Sequence, residues 1–293
     1  MVKKVLKSLK YVYLGLMLFF LYLPIIYLIV FSFNDFSAGR SHVSYTNLGV
    51  WKGFTFYNYL HIFSGPAGEA ILVTLEVAAI SSVVATVIGT AAAIGIYAMK
   101  KRTRSLILNV SQLPMVNPDL VTGITFMMLF TFVNTMLAKL GVRGIGDIPK
   151  LLIAHISFSI PYVIFSVMPR LRQSSDMLYE AAMDLGCSPM KALMKAVIPD
   201  IMPGITSGFI MALTMSLDDF VVSYFVSDKA SVLSVYIYSS ARNAKGVNPA
   251  LATIIFIPLV TLLLIVNLRR LSKEREYEIQ NKKVKLKDKG GNN

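Results

Sequence analysis

Apolar residues run through this chain in long blocks, without the alternation of a half-buried strand or the one-sided stripe of a soluble helix. The blocks cover residues 11–33, 69–99, 106–136, 151–167, 204–226 and 250–268. A helix needs about 20 apolar residues to cross a hydrocarbon core ~30 Å thick, so the pattern predicts an all-α protein with six membrane-spanning helices. Lys3, Lys4, Lys7 and Lys10 precede the first block as they would a signal sequence. The block exceeds the roughly 7–15 residues of a cleavable signal core, so it reads as an uncleaved helix with Pro24 near its middle. Residues 34–68 are polar and aromatic-rich, and Trp51, Tyr57 and Tyr59 suit a membrane interface. The second block is rich in small residues, among them Ala78, Ala79, Ser81, Ser82 and Gly89, which favour close helix packing. Pro114 and Pro118 interrupt the third. There Asn117 can cap, Pro118 begin and Asp119 stabilise the first turn of a new helix reaching about Met136.

Between the fourth and fifth blocks lies a polar island, residues 176–199, that reads as two short helices joined by a turn. Asp176 can cap the first, and Gly186 suits the left-handed residue that closes it. Ser188 can cap the second, Pro189 fits its first turn, and Pro199 is expected to end it.

Composition and charge then orient the chain. Its 293 residues are 55% hydrophobic and 15% charged, too apolar for an ordinary soluble domain. The single cysteine, Cys187, excludes an internal disulfide. With six spans both termini share a side. Of the 29 Lys and Arg, 21 fall on the side of the termini and the 176–199 loop, against 8 on the other. Without the C-terminal tail the ratio is still 12 against 8. The positive-inside rule therefore predicts cytoplasmic termini and a cytoplasmic 176–199 loop. The net charge of +13 is thus an orientation signal, and the basic tail is a solvated, lipid-facing extension with no nucleic-acid role.

Several function classes drop away. No Gly-x-x-x-x-Gly-Lys-Ser/Thr loop occurs, so ATP would be hydrolysed elsewhere. His42, His61 and His155 lack metal-ligand spacing, and His155 inside a span reads as a hydrogen-bonded packing residue. No serine-centred triad, inverted pair of broken helices or selectivity ring is legible, which argues against an intramembrane enzyme, a secondary transporter and a channel.

The segment Glu180-Ala181-Ala182, three residues, Gly186, nine residues, then Ala196-Val197-Ile198-Pro199 resembles the EAA loop of ABC importer permeases, the type I, MetI-like group. Ala196 and Ile198 stand where that family usually has Ile and Leu. The resemblance implies a coupling-helix hairpin that docks into a cytoplasmic ATPase through Glu180, Ala181, Ala182 and Gly186. Three further segments, residues 113–119, 216–226 and 250–253, are similar to the permeases of spermidine/putrescine importers, specifically the second of that system's two membrane subunits. Ser227-Asp228 replaces the Thr-Gly-Pro frequent in that branch. Permeases for iron, sulfate or phosphonates share much of the remaining pattern. The resemblance implies an N-terminal helix with external loop in residues 1–68, a permease core in 69–268, and a basic cytoplasmic tail in 269–293. It also implies a bacterial inner-membrane location, a second permease subunit, a cytoplasmic ATPase dimer carrying ATP and Mg, and an external solute-binding protein. No cofactor is expected on this chain.

Intramembrane acids bear on substrate sign, because a carboxylate inside a span is costly and normally faces a cavity or a partner. Asp218 and Asp219 fall roughly 21 to 23 Å along the fifth span from Gly204, in its outer half. Glu76 lies about two turns inside the outer end of the second. The three are candidates for lining a cation path. Adjacent helical residues point about 100° apart, so at most one of the two aspartates is expected to face that path squarely.

Overall fold

The computed structural model describes residues 2–35, 51–60, 62–63, 65–116, 119–173, 176–228, 232–242, 250–251, 253–254, 256–257 and 261. The expected sixth span falls largely outside these residues, and the 269–293 tail, His42, His61 and the Asn117–Pro118 cap lie wholly outside them. Two compact units form, Met1–Ile62 with Ser240–Asn293, and Phe63–Ser239.

In the first unit, α1 spans Val2–Phe31 and accommodates Pro24 internally. Its apolar side chains are exposed on every face, Phe20 by 63%, as expected for a helix solvated by lipid. The helix stops at Phe31, two residues before the end of the apolar block, where Asn58 takes over the backbone. From α2 (Tyr57–Leu60), the Asn58 amide donates to the Ser32 carbonyl at 2.9 Å and the Asn34 carbonyl at 2.8 Å. Phe33 stacks on Phe54, with Phe56 and Tyr59 around it.

The second unit is built on three packed helices: α3 (Pro66–Ala98), α6 (Asp147–Gln173) and α9 (Ile198–Asp218). Between α3 and α6 the chain forms α4 (Lys101–Val116), which keeps Pro114 inside it, and α5 (Asp119–Lys139); the break expected at residues 117–118 lies outside the described residues. Val163 of α6 is fully buried between Gly89 of α3 and Gly208 of α9. A Cβ at Gly89 would lie 2.7 Å from Val163 Cβ, and one at Gly208 3.1 Å from Val163 Cγ1. Glycine at both positions therefore lets three backbones approach without a hydrophobic drive between them, as lipid requires. Ala93, Ile96, Val167, Met168, Ile201 and Ala212 continue this core, and a second cluster gathers Val77, Phe130, Leu151, Ala154, Val222 and Val226.

Five helices among the described residues are long and apolar enough to cross a membrane: Leu9–Phe31, Pro66–Ala98, Asp119–Lys139, Asp147–Gln173 and Pro189–Asp218. The last corrects two expectations. Pro199 does not end the second hairpin helix, because α8 (Pro189–Ala192) passes through a five-residue π-helical stretch, Leu193–Val197, directly into α9. Ile198 N–H bonds the Leu193 carbonyl five residues back, and this wider turn absorbs the proline that would clash with a regular helix. Nor does the fifth span run unbroken to Val226. It ends at Asp218, and α10 (Val221–Val226) starts anew after Asp219, whose ψ of 123° is extended. The described fold then closes with α11 (Leu233–Arg242), where Leu233 N–H donates to Thr74 Oγ1 of α3 at 2.8 Å.

Candidate functional site

Two features carry the sequence-derived candidates, one at each end of the Pro189–Asp218 rod. At its start, α7 (Asp176–Asp184) reverses at Gly186, whose φ of +82° is in the left-handed region. Gly186 N–H bonds the Met183 carbonyl at 2.9 Å, and Cys187 N–H bonds the Ala182 carbonyl at 3.1 Å. Those two bonds are the Schellman closure of a helix, and they satisfy carbonyls that the end of α7 would otherwise leave open. Ser188 sits at the N-cap position of α8, but its side chain makes no capping bond. Glu180 and Ala181 are exposed, and Ala182 is half-buried. The hairpin also exposes Leu185, by 87%, and Met190 and Met194, large apolar side chains on a polar segment. These three were not singled out in the sequence, where they read as hydrophobic positions like any others.

At the far end, the start of α5 meets a helix break. The first residue of α5, Asp119, and the break between α9 and α10, with Asp218 and Asp219, border a cavity of about 100 Å³. Pro114, Thr122, Phe158, Tyr162, Met215 and Val222 complete the lining. Because α9 stops at Asp218, the 100° separation expected of neighbours on one helix does not apply, and both aspartates line the same space. Asp119 is the residue that sequence reasoning missed. It was assigned to the start of α5, and only the fold brings that start against the end of α9. Glu76 is exposed on α3 and is not among the residues lining this cavity.

The two neighbouring aspartates differ in their surroundings. Asp219 Oδ1 accepts from Val222 N–H at 3.2 Å, and Oδ2 accepts from both the N–H and the hydroxyl of Ser223 at 2.7 Å, so the carboxylate holds the start of α10. Its side chain is only 9% exposed, and His155 Nε2 lies 3.5 Å from Oδ2. Asp218 is exposed, and its carboxylate makes no hydrogen bond among the described residues. Among the described residues no Lys or Arg lines the cavity, and none of the three carboxylates pairs with one. No group of three or more His, Cys, Asp or Glu there is arranged to hold a metal ion.

His155 is almost fully buried, as its place inside a span suggested. Nδ1 lies 2.7 Å from Ser216 Oγ and Nε2 lies 3.0 Å from Ser223 Oγ, while Ser216 Oγ is 3.0 Å from Ser81 Oγ. The ring thus links α3, α6, α9 and α10.

Several helices long and apolar enough to cross a membrane, a polar hairpin continuous with one of them and an acid-lined cavity beside its far end are the parts of a membrane transport subunit. The chain belongs to the binding-protein-dependent transport system inner membrane component family, whose profile matches residues 85–275. It is therefore a multi-pass inner-membrane permease of the ABC importer type. It is 33% identical over 269 residues to the putrescine transport system permease protein PotI of Escherichia coli, covering 89% of this chain and 91% of that one. The spermidine/putrescine transport system permease protein PotC of Haemophilus influenzae is 31% identical, over 81% of this chain and 87% of its own. In fold the chain matches a bacterial ABC transporter involved in import of the acidic polysaccharide alginate, with a TM-score of 0.64 and 18% identity over 92% of this chain and 95% of that one. A second alginate transporter structure, in complex with an alginate pentasaccharide-bound periplasmic protein, gives 0.62 at 18% identity over 90% and 92%.

Proposed function

We propose that this chain is the membrane permease of an ATP-driven polyamine importer, forming the path for putrescine or spermidine and coupling it to a separate ATPase. One observation carries the reading: Asp119, Asp218 and Asp219 border one cavity with no Lys or Arg among the described residues to neutralise them. Carboxylates at membrane depth need a cation, and a diamine or polyamine supplies charges spaced along a flexible chain. The putrescine and spermidine/putrescine permeases to which the chain is similar agree with this sign. A sulfate or phosphonate path would place three anions against an anion; iron remains the cationic competitor.

Glu180, Ala181, Ala182 and Gly186 form the contact with the cytoplasmic ATPase, on which ATP and Mg act; this chain performs no chemistry. The exposed apolar side chains of Leu185, Met190 and Met194 give that contact apolar surface to bury. A second permease subunit completes the path, and an external solute-binding protein delivers substrate. Both termini are cytoplasmic. Closure of the ATPase pair moves the hairpin, and the Pro189–Asp218 rod carries the displacement to the acids.

The test is uptake of labelled putrescine, spermidine, sulfate and ferric iron by cells with and without the chain. Loss of polyamine uptake alone supports the proposal. Loss of sulfate or iron uptake with polyamine uptake intact overturns it.

A further inference from the structure

We infer that His155 and Ser223 are positioning residues that hold Asp219 as an aimed anion, through a hydrogen-bond chain whose donors all point towards the cavity. An ionised carboxylate can only accept, so at 2.7 Å the Ser223 hydroxyl donates its single proton to Asp219 Oδ2. Ser223 Oγ must then accept at its contact with His155, which makes Nε2, at 3.0 Å, the protonated nitrogen. In the neutral ring Nδ1 is an acceptor, so Ser216 donates to it at 2.7 Å, and Ser216 Oγ accepts from Ser81 at 3.0 Å. Ser81, Ser216, His155, Ser223 and Asp219 form one ordered series. Each link polarises the next, and away from water such a series strengthens the bond that ends on the charge.

The geometry at Asp219 gives this series a purpose beyond packing. Oδ2 is occupied by both Ser223 groups, with His155 Nε2 close behind at 3.5 Å, while Oδ1 has a single longer partner, Val222 N–H at 3.2 Å. The carboxylate is therefore gripped through one oxygen, and the other keeps accepting capacity for a cation. Asp218 has no such support, so the same cavity holds one fixed and one adaptable carboxylate. For a flexible polyamine, the fixed one sets where an ammonium group rests. His155 and Ser223 do not line the cavity, so they act on substrate through Asp219.

This inference rests on the reading of the cavity as a cation path, and the experiment separates the two. Putrescine uptake is measured with the whole importer in proteoliposomes, normalised to assembled complex, giving KM and maximal rate. Ser223→Ala removes one hydroxyl and should raise KM about tenfold, the scale of a hydrogen bond to a charged group, with the maximal rate falling less. His155→Leu should do the same, and His155→Gln, which keeps an amide donor for Ser223, should restore most of the loss. Ser159→Ala, a fully buried hydroxyl on the same helix but outside the series, should leave KM unchanged. Adding Ser223→Ala to Asp219→Asn should raise KM no further. If Asp219→Asn itself leaves KM unchanged, the path reading fails. If Asp219→Asn raises KM while Ser223→Ala does not, or if the two effects add in full, the positioning role alone is overturned. Should His155→Leu fail to assemble, Ser223→Ala and the double variant decide.

Discussion

The ammonium of Lys150, near the start of α6, lies 3.1 Å from Asp228 Oδ2 in the segment after α10, and 3.2 Å from Asp147 Oδ1 one turn back on its own helix. Lys150 is buried, whereas the Asp228 side chain is 78% exposed. The pair ties the Ser227-Asp228 segment, where the sequence departs from the polyamine-permease pattern, to the helix carrying His155. Lys150→Met should therefore destabilise the purified complex by about 1–3 kcal/mol, because it strips the cation from two carboxylates. Asp228→Asn leaves Lys150 paired with Asp147 and should cost less than about 1 kcal/mol, as an exposed partner does. Thermal unfolding in detergent ranks the two; equal effects would show that the exposed partner matters as much as the buried one.

Gly186→Val should lower transport and substrate-stimulated ATP hydrolysis without preventing membrane insertion. A Cβ at this position meets nothing within 4 Å, so the damage comes from backbone strain alone. Holding a β-branched residue at φ +82° costs at least the ~1–2 kcal/mol of an ordinary residue in the left-handed region. Glu180→Ala should act in the same direction more mildly. An inserted, ATPase-associated Gly186→Val protein with full activity would remove the hairpin from the coupling path.

Asp218→Asn and Asp219→Asn should both reduce polyamine uptake per assembled complex. At an effective dielectric near 20, a carboxylate attracts an ammonium ~4 Å away by about 4 kcal/mol before desolvation is subtracted. A net remainder of ~1.4 kcal/mol is still tenfold in occupancy. Asp218→Asn is the cleaner measurement, since no described hydrogen bond is lost with the charge, whereas Asp219→Asn also disturbs the start of α10. Asp119→Asn should act as Asp218→Asn does, and Glu76→Gln, off the cavity, should have the smallest effect. Unchanged normalised uptake in Asp218→Asn would remove that residue from the path, while a lower yield of complex with normal uptake would mark a purely structural carboxylate.

Cys187, at the hairpin turn, should react only with thiol reagents that cross the membrane. A cysteine in place of exposed Arg143, in a Cys187→Ser background, should react from outside intact cells. Labelling of Cys187 by an impermeant reagent would invert the orientation.

The spans could be read from the sequence because hydropathy and length decide whether a segment can cross lipid; α3 keeps to its apolar block, while α6 extends beyond its block at both ends. Gly186 was legible because a turn of positive φ between two short helices favours a glycine, although Ser188 makes no capping bond. Pro199 misled for a physical reason: proline signals a helix end unless the chain widens by one residue, and nothing local announces a π turn. The approach of Asp119 to Asp218 was hidden because it depends on where the start of α5 and the end of α9 come to rest. His155 was identified as a hydrogen-bonded residue, but its partners, Ser216 and Ser223, lie more than sixty residues away in sequence.

The unbroken passage through Leu193–Val197 gives the protein a lever. The 30 residues of Pro189–Asp218 span about 45 Å at 1.5 Å per residue, from the Gly186 turn to the acids. Pivoting such an arm by ~5° at its hairpin end sweeps the Asp218 end through about 4 Å. A charge pair opened from ~4 to ~8 Å loses half its attraction, so a rotation of a few degrees, in which α6 moves with α9 because Val163 is packed on Gly208, can change how firmly a cation is held. Grip and release of a cation then become two angles of one helix.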